Sequence, residues 1–268
     1  MTALATPRLT DKVVYDYWQR KGADMGTDPG ATIRDQHYRN LETDAILRMI
    51  ESDDTVLDIG CGNGLTTMRY ASQAKRVVGI DYAPNMISAA EERAASGNAS
   101  LSAKVTFQVE DARRLPFEDE RFSKVIMQRC LINIPNPAQQ IDAAREAGRV
   151  LQGGGLFLLA EVTQDGHDRV NMFREMFGLD KLKVHWHNTY LDETSFRDAI
   201  AGVFEVVDVV RFGMYGFLSK VVHPLLVQPD EPAFDAPFNE LAARIARKIP
   251  DFEACSHQVL FVLRKKKH

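Results

Sequence analysis

From Thr55 onward, short apolar runs alternate with helical stretches, which predicts an α/β fold: a doubly wound parallel sheet with helices on both faces. Three observations carry this prediction. The alternation itself is the first. The second is the run from Val56 to Gly64, V-L-D-I-G-C-G-N-G, where an apolar segment ends at Asp58 and glycines follow at alternate positions, Gly60, Gly62 and Gly64. Glycines there allow positive φ and close approach of a ligand to bare backbone, at the sheet edge where open α/β folds bind their ligands. The third is composition: 268 residues, 45% hydrophobic and 26% charged, suffice for a substantial core in one large domain or a domain with a cap.

In chain order, residues 8–21 and 34–51 read as helices, the second from Leu41, Ala45, Ile46, Met49 and Ile50 at helical spacing. A Gly/Asp/Pro-containing loop, Gly22 to Gly30, separates them. Strands are predicted at Thr55–Ile59, Arg76–Asp81, Val105–Val109, Phe122–Gln128 and Leu156–Glu161. Helices follow the first, second and fourth: Leu65 to Gln73, Pro84 to Ala95 with proline suited to a first helical turn, and about Pro137 to Leu151. Gly153, Gly154 and Gly155 read as a turn into the fifth strand. Beyond Glu161 the pattern loosens. A Met/Phe-rich helical stretch precedes H-W-H-N-T-Y-L-D-E, Thr194–Ala201 reads as a helix, Val203–Phe212 as a strand, Phe238 to Lys248 as a helix and His257–Leu263 as the closing strand. Residues 165–192 and 213–256 are too long for simple connections and are expected to form cap insertions. The domain reading is a helical lid over 1–50 and a core over 51–268.

Several function classes are disfavoured. A net charge of −4, with the short basic end Arg264 to Lys267, gives no general electrostatic reason to bind nucleic acid. Cys61, Cys130 and Cys255 are scattered, forming neither a disulfide framework nor a C-x-x-C pattern, so a reducing cytoplasm and no metal site are expected. The start, M-T-A-L-A-T-P-R-L-T-D-K, holds no apolar leader, and no stretch approaches a membrane span.

The glycine spacing is informative. A dinucleotide loop reads G-x-G-x-x-G and seats a pyrophosphate; here the third glycine comes one residue early and an aspartate precedes the first by two. A pyrophosphate has no use for that carboxylate, whereas a ligand bearing an ammonium group does. Further polar groups end the following strands. The second ends V-V-G-I-D at Asp81, about 20 residues beyond the loop, where an acid commonly bonds a ribose. The third leads into E-D-A at Asp111 and Ala112, and the fourth ends Q-R-C-L-I-N-I-P, exposing Gln128 and Arg129.

Together, D-I-G-C-G-N-G, G-I-D-Y-A-P-N-M, E-D-A-R-R-L-P-F and R-V-L-Q-G-G-G resemble the class I S-adenosylmethionine-dependent methyltransferases over about residues 50–165. The resemblance implies a Rossmann-like, seven-stranded, mostly parallel sheet in the order 3-2-1-4-5-7-6 with the last strand antiparallel. It implies S-adenosyl-L-methionine as cofactor, with Asp58, Gly60 and Gly62 along the methionine part, Asp81 at the ribose hydroxyls and Asp111 at adenine, whose ring a backbone N–H at Ala112 also meets. Cys61 sits in this loop as a small residue in a tight turn, and Gln128 lies near the reactive end. Tyr82 and Met86 read either as lining of the adenosine pocket or as core. Taken singly, Asp81 also reads as a helix cap and Asp111 as a turn residue. R-C-L-I-N-I-P, H-W-H-N-T-Y-L-D-E and F-L-S-K-V-V-H-P-L-L resemble a bacterial small-molecule subgroup found among biosynthetic loci.

Methyl transfer depends on aligning the acceptor for in-line displacement, and a protonated acceptor needs a base. His185 and His187 are the candidates, with Tyr190 beside them; on an extended segment both imidazoles point to one side and Trp186 to the other. Surface or structural histidines are the competing reading. Tyr15, Tyr17, Trp18, Arg34, His37 and Tyr38 precede the core and are read as lid residues or as helix packing. Of these, Trp18, Arg34, His37 and Tyr38 join Arg129 as acceptor-binding candidates. Arg34 and Arg129 suit a carboxylate or phosphate on the acceptor; ordinary salt bridges are the alternative. The predicted activity is methyl transfer to oxygen or nitrogen of a small molecule. The rivals are a cofactor-binding partner subunit without turnover, and an RNA or protein methyltransferase, disfavoured by the absence of a basic tract and of an N-P-P-Y motif after the fourth strand.

Overall fold

The computed structural model describes residues 9–267. Residues 1–8, which carry most of the start read above and the beginning of the first predicted helix, lie outside the described residues, as does His268. One sheet holds β1 (Thr55–Ile59), β2 (Arg76–Asp81), β3 (Val105–Val109), β4 (Phe122–Gln128), β5 (Leu151–Val162), β6 (Phe204–Arg211) and β7 (Gln258–Lys265). The strand order is β3-β2-β1-β4-β5-β7-β6, with β7 antiparallel to both neighbours. The helices are α1 (Asp11–Met25), α2 (Gln36–Leu47), α3 (Leu65–Tyr70), α4 (Pro84–Ser96), α5 (Ala99–Ser102), α6 (Pro137–Val150), α7 (Gln164–Met176), α8 (Glu193–Ile200), α9 (Gly213–Phe217), α10 (His223–Val227) and α11 (Pro237–Ala246).

The continuous apolar runs of the central strands follow from burial on both faces. Alternate residues point to opposite sides. Leu57, Ile59, Val78, Ile80, Val125 and Met127 pack with Ala143, Ala144 and Ala147 of α6 and with Phe196 and Ile200 of α8. Val56, Val77, Ile126, Leu158 and Ala160 pack with Leu41, Ala45 and Ile46 of α2 and with Ala242 and Ala243 of α11. Thus α2, expected to belong to a lid, forms one of the layers covering the sheet. Side-chain caps set several helix starts: Asp35 accepts from the Tyr38 N–H at 2.9 Å, Thr163 from Gly166 at 3.1 Å and Asp192 from Ser195 at 2.7 Å.

Four segments differ from the sequence reading. The first helix runs four residues past the predicted end, to Met25, because Gly22 lets α1 lie directly on α4: a Cβ there would stand 2.7 Å from the Asn85 carbonyl carbon. The predicted turn at Gly153 to Gly155 is a bulge within β5; Phe122 pairs with Leu151 but Lys124 pairs with Leu156. The short α5 lacks a sequence signal. Residues 213–227, expected only as cap, form one helical path in which a π-helical turn, Leu218–Val222, joins α9 to α10. Among the described residues no helix is long and apolar enough to cross a membrane.

Gly64 heads α3 at φ 72°, and a Cβ there would lie 2.9 Å from both the Ala90 Cβ and the Phe107 ring. Gly64→Ala is therefore expected to lose about 1–2 kcal/mol from backbone conformation alone, with the clash adding to it. A lowered urea midpoint at unchanged m-value is the result to look for.

Candidate active site

The glycine loop is built by β1 and β2 together. Gly60 and Cys61 both donate to the Ile80 carbonyl, at 2.8 and 2.9 Å, and Gly64 N–H closes the turn on the Cys61 carbonyl at 3.1 Å. Asp81 then clasps the loop from the adjacent strand. One carboxylate oxygen accepts from the Gly62 N–H at 3.0 Å and the other from the Ala83 N–H, at the start of α4, at 2.9 Å. Asn63 ties the loop to the chain after α1, donating to the carbonyls of Gly26 and Asp28 at 3.0 and 2.9 Å. Burial pushes the Asp81 carboxyl up to about 6, against the pull of its two N–H partners. Asp58 is pushed up to about 7, also by burial, and Asp81 adds to this.

A cavity of about 590 Å³ runs from this loop across the ends of β2, β3 and β4, within the range of small-molecule sites. Gly60, Cys61, Gly62, Asp81, Tyr82, Asp111, Ala112 and Gln128 line it. Asp58 does not; it lies behind the loop, accepting from the Thr67 hydroxyl at 2.6 Å. Met86 is packed in the interior. Burial and the two aspartates hold the Cys61 thiol well above its ordinary range, so it stays protonated. Asp111 accepts from the Arg113 guanidinium at 2.7 Å and from the Arg113 N–H at 2.9 Å. Arg113 also reaches Asp11 of α1, drawing that helix toward the β3 end. Above Asp81, the Tyr82 ring meets Tyr15 edge-on at 5.5 Å, and its buried hydroxyl has no partner among the described residues.

At the end of β4, Gln128 accepts from the Tyr70 hydroxyl at 3.1 Å and donates to Glu42 of α2 at 2.8 Å. Arg129, at φ 57°, pairs with the same Glu42 at 3.3 Å. Its charge is therefore already balanced. Arg34 is exposed at the cavity rim over the Phe234 ring, 5.4 Å from its centroid. Tyr38 lines the cavity although almost wholly covered, and Trp18 lines it while donating from Nε1 to Asn133 at 3.1 Å. His37 lies outside the lining.

His185, His187 and Tyr190 line the far part of the same cavity. Here the local geometry departs from the extended segment expected. The Asn188 N–H bonds the His185 carbonyl at 2.9 Å, making a turn, and the two imidazoles lie nearly parallel 5.9 Å apart. Trp186 is half exposed, yet its ring still meets Tyr17 at 5.2 Å. Tyr17 stacks on His187 at 4.5 Å. Burial holds both histidines below the ordinary imidazole range, His187 at about 4, and its buried Nδ1 has no partner among the described residues.

Sequence reasoning missed Asp35, Glu42, His167, Lys220 and His257 around this cavity. They sit on elements whose place depends on the tertiary fold, and only F-L-S-K-V-V-H-P-L-L, through Lys220, touched them.

Residues 56–155 match a family model described as a methyltransferase domain. Over these residues the chain resembles the class I S-adenosylmethionine-dependent methyltransferases. Methyltransferase GfsG of Streptomyces halstedii is 30% identical over 160 residues, covering 59% of this chain and 53% of that protein. The 27-O-demethylrifamycin SV methyltransferase of Amycolatopsis mediterranei is 32% identical over 135 residues, covering 50% and 48%. The chain thus spans about half the length of these curated relatives. The N-methyltransferase NodS of Bradyrhizobium japonicum, solved with S-adenosyl-L-homocysteine, superposes with a TM-score of 0.59 at 16% identity, covering 95% of this chain and 99% of that one, which shows the shared fold.

S-adenosyl-L-methionine is the cofactor of this family, and the cavity fits it. The Asp81 carboxylate, held by two N–H groups, keeps lone pairs for a pair of hydroxyls. The orphaned Tyr82 hydroxyl and the bare backbone from Gly60 to Gly62 offer further contacts. Hydroxyl donors favour the ionised form of Asp81. Affinity for S-adenosyl-L-homocysteine is therefore expected to be full above pH 6 and to fall as pH drops through about 6. Titration calorimetry checks this, and Asp81→Ala should weaken binding by about 10–100-fold, the loss of charged hydrogen bonds.

Proposed function

We propose that the chain transfers the methyl group of S-adenosyl-L-methionine to an oxygen or nitrogen atom of a small molecule. The observation that carries this reading is the continuity of one cavity from the glycine loop and Asp81 to His185, His187 and Tyr190. When bound, the cofactor supplies a methyl group already activated by a sulfonium. What remains for the protein is alignment and the removal of water.

Three remote segments do this. Tyr17 and Trp18 of α1 form one wall as a lid, locked by stacking on the histidine turn. That turn is fastened to the core, since the Thr189 N–H bonds the Ile132 carbonyl at 2.7 Å and Gln140 bonds the Thr189 carbonyl at 2.9 Å. The helical path from Gly213 to Val227 supplies the third wall. An enclosed pocket of this kind favours a small acceptor over a polymer, and the relative named for 27-O-demethylrifamycin SV supports the same class.

A proton on the acceptor leaves to a nearby base. His187 is the first choice: it is neutral at pH 7, its Nδ1 has no other partner, and stacking on Tyr17 fixes its plane. His185 lies parallel to it and shares its neutral state.

The experiment is a turnover assay on pooled metabolites, following S-adenosyl-L-homocysteine release. Expected are turnover and a loss of about 10²–10⁴-fold in His187→Gln. If His185→Ala and His187→Ala both keep full rate, the base is elsewhere. With S-adenosyl-L-methionine saturating, which keeps Asp81 ionised, kcat/KM for the acceptor should stay flat from pH 8 down to about 5 and then fall, because His187 sits at about 4. A limb at the ordinary imidazole value near 6.5 would point to a solvent-exposed histidine instead.

A further inference from the structure

In the part of the cavity beside Tyr38 one cation lacks a carboxylate in ion-pair contact. Arg129 is balanced by Glu42. The Asp35 carboxylate accepts from the Tyr215 hydroxyl at 2.8 Å and from the Tyr38 N–H at 2.9 Å. Lys220 is left over. Its ammonium lies 5.9 Å from the centroid of the Tyr38 ring, which Arg129 also faces, at 5.6 Å. Among the described residues no carboxylate forms an ion pair with it. Burial pulls its amine below the ordinary range, with Asp35 acting in the opposite direction. A half-buried ammonium without an ion-pair partner is costly, and the cost is recovered when an anion arrives.

The backbone presents this lysine deliberately. Lys220 lies in the π-helical turn Leu218–Val222, a wide turn that often marks a functional site. Arg174 of α7 grips the turn by donating to the Lys220 carbonyl, and bonds the Asp180 carbonyl at 2.7 Å. Arg174 thus holds carbonyls and adds positive charge without a carboxylate of its own.

A chain of neutral histidines ends in the same cavity. The Leu182 N–H donates to Asn171 Oδ1 at 2.8 Å, which fixes the amide so that Asn171 Nδ2 donates to His167 Nε2 at 3.0 Å. His167 must then carry its proton on Nδ1 and donate it to His257 Nε2, 3.2 Å away. Neutral His257 therefore keeps its proton on Nδ1, and that buried nitrogen has no partner among the described residues. Burial and the Lys220 charge hold both rings in the neutral form.

We propose that Lys220 and the His257 Nδ1–H form a subsite for a carboxylate carried by the methyl acceptor. One ammonium and one neutral N–H match a single negative charge; a phosphate dianion asks for a second cation at the same place, and Arg174 has its Nε and Nη1 spent on the Asp180 and Lys220 carbonyls. This assignment rests on the methyl-transfer reading of the cavity and names its substrate class. It replaces the two arginines suggested by the sequence with a lysine and a histidine that no spacing rule brings together.

The test uses the full chain saturated with S-adenosyl-L-homocysteine and titrated with acetate, benzoate, benzamide and inorganic phosphate, read by tryptophan fluorescence and by calorimetry. Expected is saturable binding of acetate and benzoate, weakened about tenfold or more in Lys220→Met and largely restored in Lys220→Arg. Benzamide and phosphate should bind at least about tenfold more weakly than benzoate. Equal carboxylate affinity in Lys220→Met, no saturable carboxylate binding, or equal binding of benzamide overturns the subsite. Tighter, Lys220-dependent phosphate binding overturns the carboxylate assignment. S-adenosyl-L-homocysteine titration of the same proteins separates the two readings. If it binds wild type and Lys220→Met alike, only the subsite is at stake; if it fails on wild type, the methyl-transfer reading falls.

Discussion

The buried ion pair between Glu42 and Arg129 is the contact on which both halves of the site depend. Glu42 comes from α2, is fully covered, and meets Arg129 and Gln128 at the carboxyl end of β4. Gln128 in turn accepts from Tyr70, the last residue of α3. One carboxylate therefore fastens an N-terminal helix to the strand edge that divides the cofactor end of the cavity from the end proposed for the acceptor. Burial disfavours the Arg129 cation and Glu42 more than offsets it. Removing either partner leaves a buried charge, the expensive way to break such a pair. The pair also fixes direction: Arg129 leaves the strand at positive φ with its N–H on the Ala160 carbonyl at 2.8 Å.

Beneath the glycine loop the balance is different. Asp58 and Asp81 are buried, Asp81 raises Asp58 further, and among the described residues no cation forms an ion pair with either. Their native carboxyls, at about 7 and about 6, stand above the usual value near 3.9 of an unfolded chain. The sign follows from linkage. Stability from these groups is complete below that unfolded value and is lost as pH rises through 6 to 7. At neutral pH the fold thus holds acids that cost stability, the usual trade at a site shaped for a ligand rather than for the protein alone. The loop tolerates this because Gly62, Ala83 and Thr67 supply the hydrogen bonds that water would otherwise give.

The cofactor half was legible in the sequence because each of its groups stands at the end of a strand in local register with the next. Asp58 pairs with Gly79, and Asp81 with Val109, so a reader who finds the strands finds the edge. Even there, the alternation could not show that Asp58 turns behind the loop toward Thr67, because that depends on where α3 packs. The acceptor half was legible only as composition. Its histidines were found, but the turn at His185 to Asn188 replaces the extended geometry that alternation suggests. Lys220 was hidden because its orientation follows from a π-helical turn gripped by Arg174, 46 positions earlier in the chain. Arg129 read as an acceptor ligand or as half of an ordinary salt bridge, and the partner stayed unnamed because Glu42 lies 87 positions away.

This division has a consequence for how such a site changes. The cofactor end is assembled from short strand-to-helix turns in which almost every polar group is spent on the loop itself. The acceptor end is assembled from α1, the histidine turn and the helical path after β6, which meet through ring contacts between Tyr17, Trp186 and His187 and through Arg174. Aromatic contacts are tolerant of repacking, whereas buried hydrogen-bonded charges are not. Substitutions that alter the acceptor can therefore accumulate in those three segments while the sheet edge stays intact. Glu42 and Arg129 are the exception: they touch both ends, so a change there is felt by cofactor and acceptor together.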